Sequence, residues 1–257
     1  MNWFKGIHPL PVEMSREVKL YLSVAHKTKK HISRTQVLLR YLWTHSRRRP
    51  YADVWPMLDG MSDVTERGTI TGAAIKSAFR RRLLELQKGR CCYCRRWLVS
   101  TAYAKPIEHI LPRRHYPQFS IEFWNLAVAC SDCNGAKTDD VWGTISTARR
   151  RYPRAWEFTE AFHPRFHRYD DHIRFVRLET NLSAVVVFTG LTTQGRHLCR
   201  SLLHRIAAKE TLVENNPALA PAMDQIRSFE SKVEGLRLTR LNEFRAALDQ
   251  SIVRLLE

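Results

Sequence analysis

No apolar run in these 257 residues approaches the roughly 18 consecutive residues that a membrane-spanning helix needs; the longest of note, Ala184 to Phe188, is far shorter. The start, Met1-Asn2-Trp3-Phe4-Lys5, lacks the basic-then-apolar pattern and small-residue cleavage site of a secretion signal. There is no internal repeat and no low-complexity tract, which argues against a solenoid or a compositionally disordered chain. Acidic residues are also short, 25 against 42 Lys and Arg, for a net charge of +17. These deficits lead us to expect a soluble cytoplasmic protein with no membrane partner and with a polyanion, nucleic acid before an acidic lipid surface, as its ligand. What is present fits that: 44% apolar and 10% aromatic residues suffice for a packed core and exclude wholesale disorder.

The charge is unevenly placed. Residues 76–151 hold 15 basic against 6 acidic residues, +9, whereas residues 152–257 hold 15 against 13, +2. The polyanion is therefore expected on the middle segment and on the first one, and the last third is suited to scaffolding or a protein partner.

Local patterns give the elements. Ser33-Arg34-Thr35-Gln36 reads as a capping box opening a helix through Val37, Leu38, Tyr41 and Leu42, stopped before Pro50, with Arg47-Arg48-Arg49 serving its C-terminal dipole or a phosphate. A second helix is expected from about Thr71, with Ile75, Phe79, Leu83 and Leu86 on one face and Gly89 as its stop. Ile173 to Leu178 and Ala184 to Thr189, separated by Asn181-Leu182-Ser183, predict a hairpin. A helix from about Gln194 to Val213 follows, then two amphipathic helices beyond Pro221, the last with Leu241, Phe244, Leu248, Ile252 and Leu255 as a stripe that reads as core before a dimer seam.

Six cysteines occur, and four form Cys91-x-x-Cys94 and Cys130-x-x-Cys133. Paired knuckles of this kind close a tetrahedral thiolate site suited to structural zinc, with no position left open for substrate. Cys92 and Cys199 are left as buried or incidental thiols. Between and beside the knuckles lie Ile107-Glu108-His109-Ile110-Leu111-Pro112, then Trp124-Asn125-Leu126, then Asn134-Gly135-Ala136-Lys137. The residue types suit phosphodiester hydrolysis, which needs a base for water, a divalent cation against phosphate charge, and groups that hold both. His109 is the candidate base, being largely unprotonated at neutral pH and set opposite Glu108 on a strand. Glu108 and Asn134 offer hard oxygens to Mg²⁺ or Mn²⁺.

Residues 88–142, with these knuckles and this Glu-His, Asn, Asn series, resemble the HNH endonucleases, whose ββα-metal site is commonly framed by paired Cys-x-x-Cys knuckles. The resemblance implies His109 as general base, Glu108 and Asn134 as catalytic metal ligands, Asn125 as the residue that orients His109 or ties the loop, and Lys137, at a recurrent basic position, as a nucleic-acid-binding residue. It departs from the pattern at Glu108, where many members carry Asp. The wider layout is loosely similar to the nuclease subunits of Septu-type antiphage systems, which work with an ATPase. The expected fold class is α+β: a mainly helical protein with a helical segment at 1–70, a zinc-stapled ββα-metal module at 71–151, and a β-hairpin with helices at 152–257.

Several features carry two readings. Arg113 and Arg114 are phosphate clamps or a solvated loop, and His115 is a weaker alternative base. The stretch from Phe162 to His172 either stacks on bases or is a loop anchored in the core, and a second metal site at His163, His167 and His172 is the least supported option. For function, a DNA-cleaving hydrolase stands against an RNase with the same site and against a non-catalytic zinc module that binds DNA. With one site per chain, a double-strand break would need a homodimer or two sequential nicks.

Overall fold

The computed structural model describes residues 29–49, 51–65, 68–98, 105–179 and 184–215, together with 16, 19 and 20. It is α+β: among the described residues, helices with three small antiparallel sheets of two strands each. The chain forms two compact units, Met1–Thr159 with His163–His167, and Glu160–Phe162 with Arg168–Glu257. No helix among the described residues is long and apolar enough to cross a membrane.

In the first unit, α1 (Lys29–Arg48) buries Leu38, Leu39 and Leu42. It begins before the expected capping box, so Ser33 to Gln36 lie inside it. The preceding Lys-Lys-His-Ile has nothing to break a helix, and Thr35 is fully buried. The end falls before Pro50 as expected; Arg47 turns inward, 3.4 Å from the buried Glu122. Strands β1 (Ser62–Thr65) and β2 (Gly68–Thr71) pair and lead directly into α2 (Gly72–Leu86). Thr71 caps α2, its hydroxyl accepting from the Ala74 amide at 3.2 Å. Gly72 is required because a Cβ there would lie 1.5 Å from the Leu58 carbonyl oxygen. Ile75, Phe79 and Leu83 are fully buried, while Leu86, last of the expected stripe, is half exposed because the chain turns away there. Gly89 adopts a left-handed φ of 69° and stops the helix, its amide reaching the Leu84 carbonyl at 2.8 Å.

The buried Gln87 then sews the helix end to the next sheet. Its amide nitrogen donates to the Val128 carbonyl and its oxygen accepts from the Val128 amide, both at 2.8 Å. That sheet is β3 (Ile107–His109) against β4 (Leu126–Val128), with Glu108 opposite Ala127 and His109 opposite Leu126. Helix α3 (Ser131–Lys137) follows, completing a strand, strand, helix order. A cluster of Leu111, Tyr116, Phe119 and Phe158 fills the space under the long β3–β4 connection.

In the second unit, a one-turn α4 (Tyr169–His172) leads into β5 (Ile173–Glu179) and β6 (Ala184–Gly190), the expected hairpin. Ile173, Val186 and Phe188 face inward, where α5 (Thr193–Leu198), a wide π turn at Cys199–Leu203 and α6 (His204–Asn215) form one continuous helical segment. The two helices expected beyond Pro221 lie outside the described residues, as do Asn181-Leu182-Ser183.

Candidate active site

The four knuckle cysteines converge. Cys91 and Cys94 sit in the turn after α2, Cys130 caps α3 and Cys133 lies in its first turn; all four are buried and unoxidised, with their sulfurs within 4.8 Å of one another. Cys94 Sγ and Cys130 Sγ are 3.8 Å apart. A tetrahedral ion with bonds of about 2.3 Å sets its sulfurs about 3.8 Å apart, so the cluster has the dimensions of structural zinc. Backbone amides supply the outer contacts that thiolates need: Cys130 N donates to Cys91 Sγ at 3.3 Å and Cys133 N to Cys130 Sγ at 3.4 Å. Cys92 is outside the cluster, its thiol pushed well up by burial, and burial pushes Cys199 up to about 11. Among the described residues these four cysteines are the group of His, Cys, Asp or Glu that could share an ion; His163, His167 and His172 form no such group. His163 instead packs against Phe158 and Phe166, with Tyr152 Oη 2.8 Å from its Nε2.

Beside the cluster, β3 ends at an open cavity of about 320 Å³ rimmed by Glu108, His109, Arg113, Arg114 and Asn134. Asp53 and Asp139, which no local pattern singled out, rim it as well. Strand alternation sends the Glu108 and His109 side chains to different partners. His109 Nε2 lies 2.9 Å from the Ser120 carbonyl oxygen, and Trp55 meets the ring edge-on at 4.7 Å. A carbonyl only accepts, so Nε2 carries the proton and Nδ1 keeps its lone pair. Burial, reinforced by the Arg113 charge and opposed by the Ser120 carbonyl, pushes the imidazole pKa down to about 3. The ring is a neutral base.

Glu108 is buried and held on one oxygen. Lys137 Nζ lies 2.9 Å from Oε1, and Tyr93 Oη, from the loop between Cys91 and Cys94, donates to the same atom at 3.1 Å. Burial raises the carboxyl pKa, and Lys137 and Tyr93 oppose that rise. Lys137 has no exposed surface, so in this conformation its ammonium faces Glu108 and offers nothing to an outside phosphate. Asn134 is half-buried on the cavity side of α3. Arg113 pairs with Asp53, and Arg114 lies 3.4 Å from Asp139 with most of its surface exposed. His115 is exposed and stands off the cavity rim.

Asn125 is fully buried, is not part of the cavity lining, and makes its side-chain hydrogen bonds to groups other than the His109 ring. Its oxygen accepts from the Leu111 amide at 2.7 Å, and its nitrogen donates to the carbonyls of Leu111 and Phe119 at 3.0 and 3.1 Å. It therefore ties the loop whose Ser120 carbonyl orients His109. Asn125→Ala leaves these backbone groups unpaired and should cost about 3 kcal/mol; a melting temperature equal to wild type would refute the tie.

The buried histidines also make stability pH-dependent. An unfolded histidine takes up a proton near pH 6.5, roughly, whereas folded His109 does so only near 3. Between these values the unfolded state binds the extra proton, so stability falls as pH falls, by up to about 1.4 kcal/mol per unit for each such histidine. His163, pushed well down by burial, adds in the same direction. Urea midpoints at about pH 7 and pH 5.5, with zinc present, check this: the lower pH should give the lower midpoint.

Of the residues singled out in the sequence, Glu108, His109, Asn134, Arg113 and Arg114 share one cavity, while Asn125 and Lys137 lie behind it. Tyr93, Trp55 and Asp53 were not read from the sequence; only Tyr93, placed between two knuckle cysteines, carried a signal.

Neither a family model nor a solved structure matches the chain. A curated relative, the Septu protein PtuB of Bacillus thuringiensis, is 36% identical over 55 residues, an alignment that covers 21% of this chain and 21% of that protein. The similarity thus spans about a fifth of the relative's length.

Proposed function

We propose that this protein is a metal-dependent endonuclease of the HNH type, with residues 71–151 as its catalytic module and DNA as its favoured substrate. The observation that carries the reading is a neutral, oriented His109 on the same open cavity as Glu108, Asn134 and two arginines, beside a four-cysteine cluster. In this reading Cys91, Cys94, Cys130 and Cys133 hold structural zinc, and Glu108 and Asn134 hold the catalytic ion. Mg²⁺ or Mn²⁺ bound there supplies positive charge against the phosphate and the leaving oxygen.

His109 Nδ1 accepts the proton of a water molecule as that water attacks phosphorus and the bond from phosphorus to the leaving oxygen breaks, that oxygen taking a proton from solvent; the Ser120 carbonyl stabilises the imidazolium by accepting from Nε2–H. Arg113 and Arg114, at the cavity mouth, engage flanking phosphates; Asp53 keeps Arg113 in place until they arrive. Asn125 and Lys137 act from behind, on the loop and on Glu108. The +9 charge of residues 76–151 supplies the electrostatic attraction for the duplex.

The partial similarity to a Septu protein supports a role in antiphage defence; an ATPase partner and a cytoplasmic location belong to the same reading as proposals. One proposed catalytic site per chain makes the expected product a nick, and a double-strand break requires a homodimer or two sequential events. Supercoiled plasmid incubated with the protein in Mg²⁺ or Mn²⁺, with EDTA as control, tests the activity. Metal-dependent nicking is expected; plasmid bound but uncut, with and without the ATPase partner, would favour a non-catalytic zinc module, and cutting of RNA alone would make it an RNase.

A further inference from the structure

We infer that Lys137 and Tyr93 are positioning residues that hold Glu108 by one carboxylate oxygen and leave the other to face a divalent cation in the cavity. The inference rests on the metal site proposed above and specifies how this chain builds it.

Both interior partners contact the same atom. Lys137 Nζ and Tyr93 Oη reach Oε1 at 2.9 and 3.1 Å, whereas no described residue donates to Oε2. The terminal torsion of a glutamate is broad, so a carboxylate without such partners samples many orientations. Two donors on one oxygen remove that freedom and set the direction of the other.

The clamp is itself fixed. Lys137 Nζ also donates to the His109 carbonyl at 3.3 Å and lies 5.2 Å from the centre of the Trp142 ring, which packs edge-on against Tyr93 at 5.5 Å. Lys137 and Tyr93 are fully buried. A buried ion pair of this kind is weak evidence for stability, since well-packed apolar groups often serve as well. Its place directly behind a cavity that Glu108 lines gives it another task.

The two halves of the clamp arise from the two ends of the four-cysteine cluster. Tyr93 lies between Cys91 and Cys94, and the short α3 that contains Cys133 also carries Asn134 and Lys137. Folding around the cluster therefore positions the clamp and both proposed ligands together. The longer reach of glutamate has a use here, because one oxygen extends to interior donors while the other faces the cavity.

Mn²⁺ binding to the zinc-loaded full-length protein without nucleic acid, followed by the electron paramagnetic resonance signal of free Mn²⁺, tests the inference. Wild type is expected to bind one ion that Asn134→Ala loses. Tyr93→Phe, which keeps the ring and the charge, is expected to bind about tenfold more weakly with zinc content and melting temperature retained, the usual size of an outer-contact effect on a metal. Lys137→Met is expected to lose more. Unchanged or tighter Mn²⁺ binding in Tyr93→Phe would overturn the clamp while leaving the nuclease reading standing. Tighter binding in Lys137→Met would make Lys137 a competitor of the ion and overturn it as well. If wild type binds no Mn²⁺, the metal site falls and the clamp with it. Should Lys137→Met fail to fold, Tyr93→Phe decides.

Discussion

His109→Ala should lower metal-dependent plasmid nicking by about 10²- to 10⁴-fold, the range that a positioned general base contributes. The expectation follows from the division of labour between the two ring nitrogens. Nε2 is committed to the Ser120 carbonyl at 2.9 Å, so the basic electron pair on Nδ1 is the group that the substitution removes. His109 is also buried against Trp55, and alanine leaves a gap there. His109→Gln separates chemistry from packing, because its amide can still donate to Ser120 but has no basic nitrogen. Both variants should keep zinc and plasmid affinity. Nicking at the wild-type rate by His109→Gln would remove His109 as the base, whatever the fate of the alanine variant.

Cys130→Ala should release the structural ion and unfold the module. Zinc in a four-thiolate site binds with an apparent free energy of about 10–16 kcal/mol, comparable to the whole stability of an ordinary domain, and much of that energy is folding energy. Here the loss is local and multiple. Cys130 caps α3, its sulfur accepts from the Cys133 amide, and its own amide donates to Cys91 Sγ. Removing the sulfur frees the helix that carries Asn134 and Lys137. Cys92→Ala is the matched control, because Cys92 lies outside the cluster and should leave zinc content unchanged. A Cys130→Ala protein that retains both zinc and its melting temperature would contradict the structural role of the cluster.

The contrast between Asn134 and Lys137 explains how far the site was legible beforehand. Asn134 follows the second knuckle directly, and a residue one step beyond a helix-capping cysteine pair is positioned by the first turn alone; its place on the cavity followed from spacing. Lys137, at a basic position, reads as a nucleic-acid-binding residue, yet it is fully buried. What draws it inward is Glu108, which lies on another element. Arg113 presents the same difficulty, since its partner Asp53 precedes it by 60 residues and belongs to a segment with no motif. In α1 a local signal misled in the other direction: Ser33 to Gln36 match a capping box, but the residues before them also support a helix.

The sequence by itself determined the local elements and the four-cysteine frame. Apolar spacing specified α2 and the β5–β6 hairpin to within a residue or two, and the paired Cys-x-x-Cys spacing specified which four sulfurs converge, because these depend on near neighbours and on the fixed geometry of helix, strand and knuckle. Only the tertiary structure decided which oxygen of Glu108 is held, which nitrogen of His109 is left basic, and whether a lysine or an asparagine meets the cavity. Those outcomes depend on desolvation and on hydrogen-bond partners supplied by distant segments, and no local pattern records them.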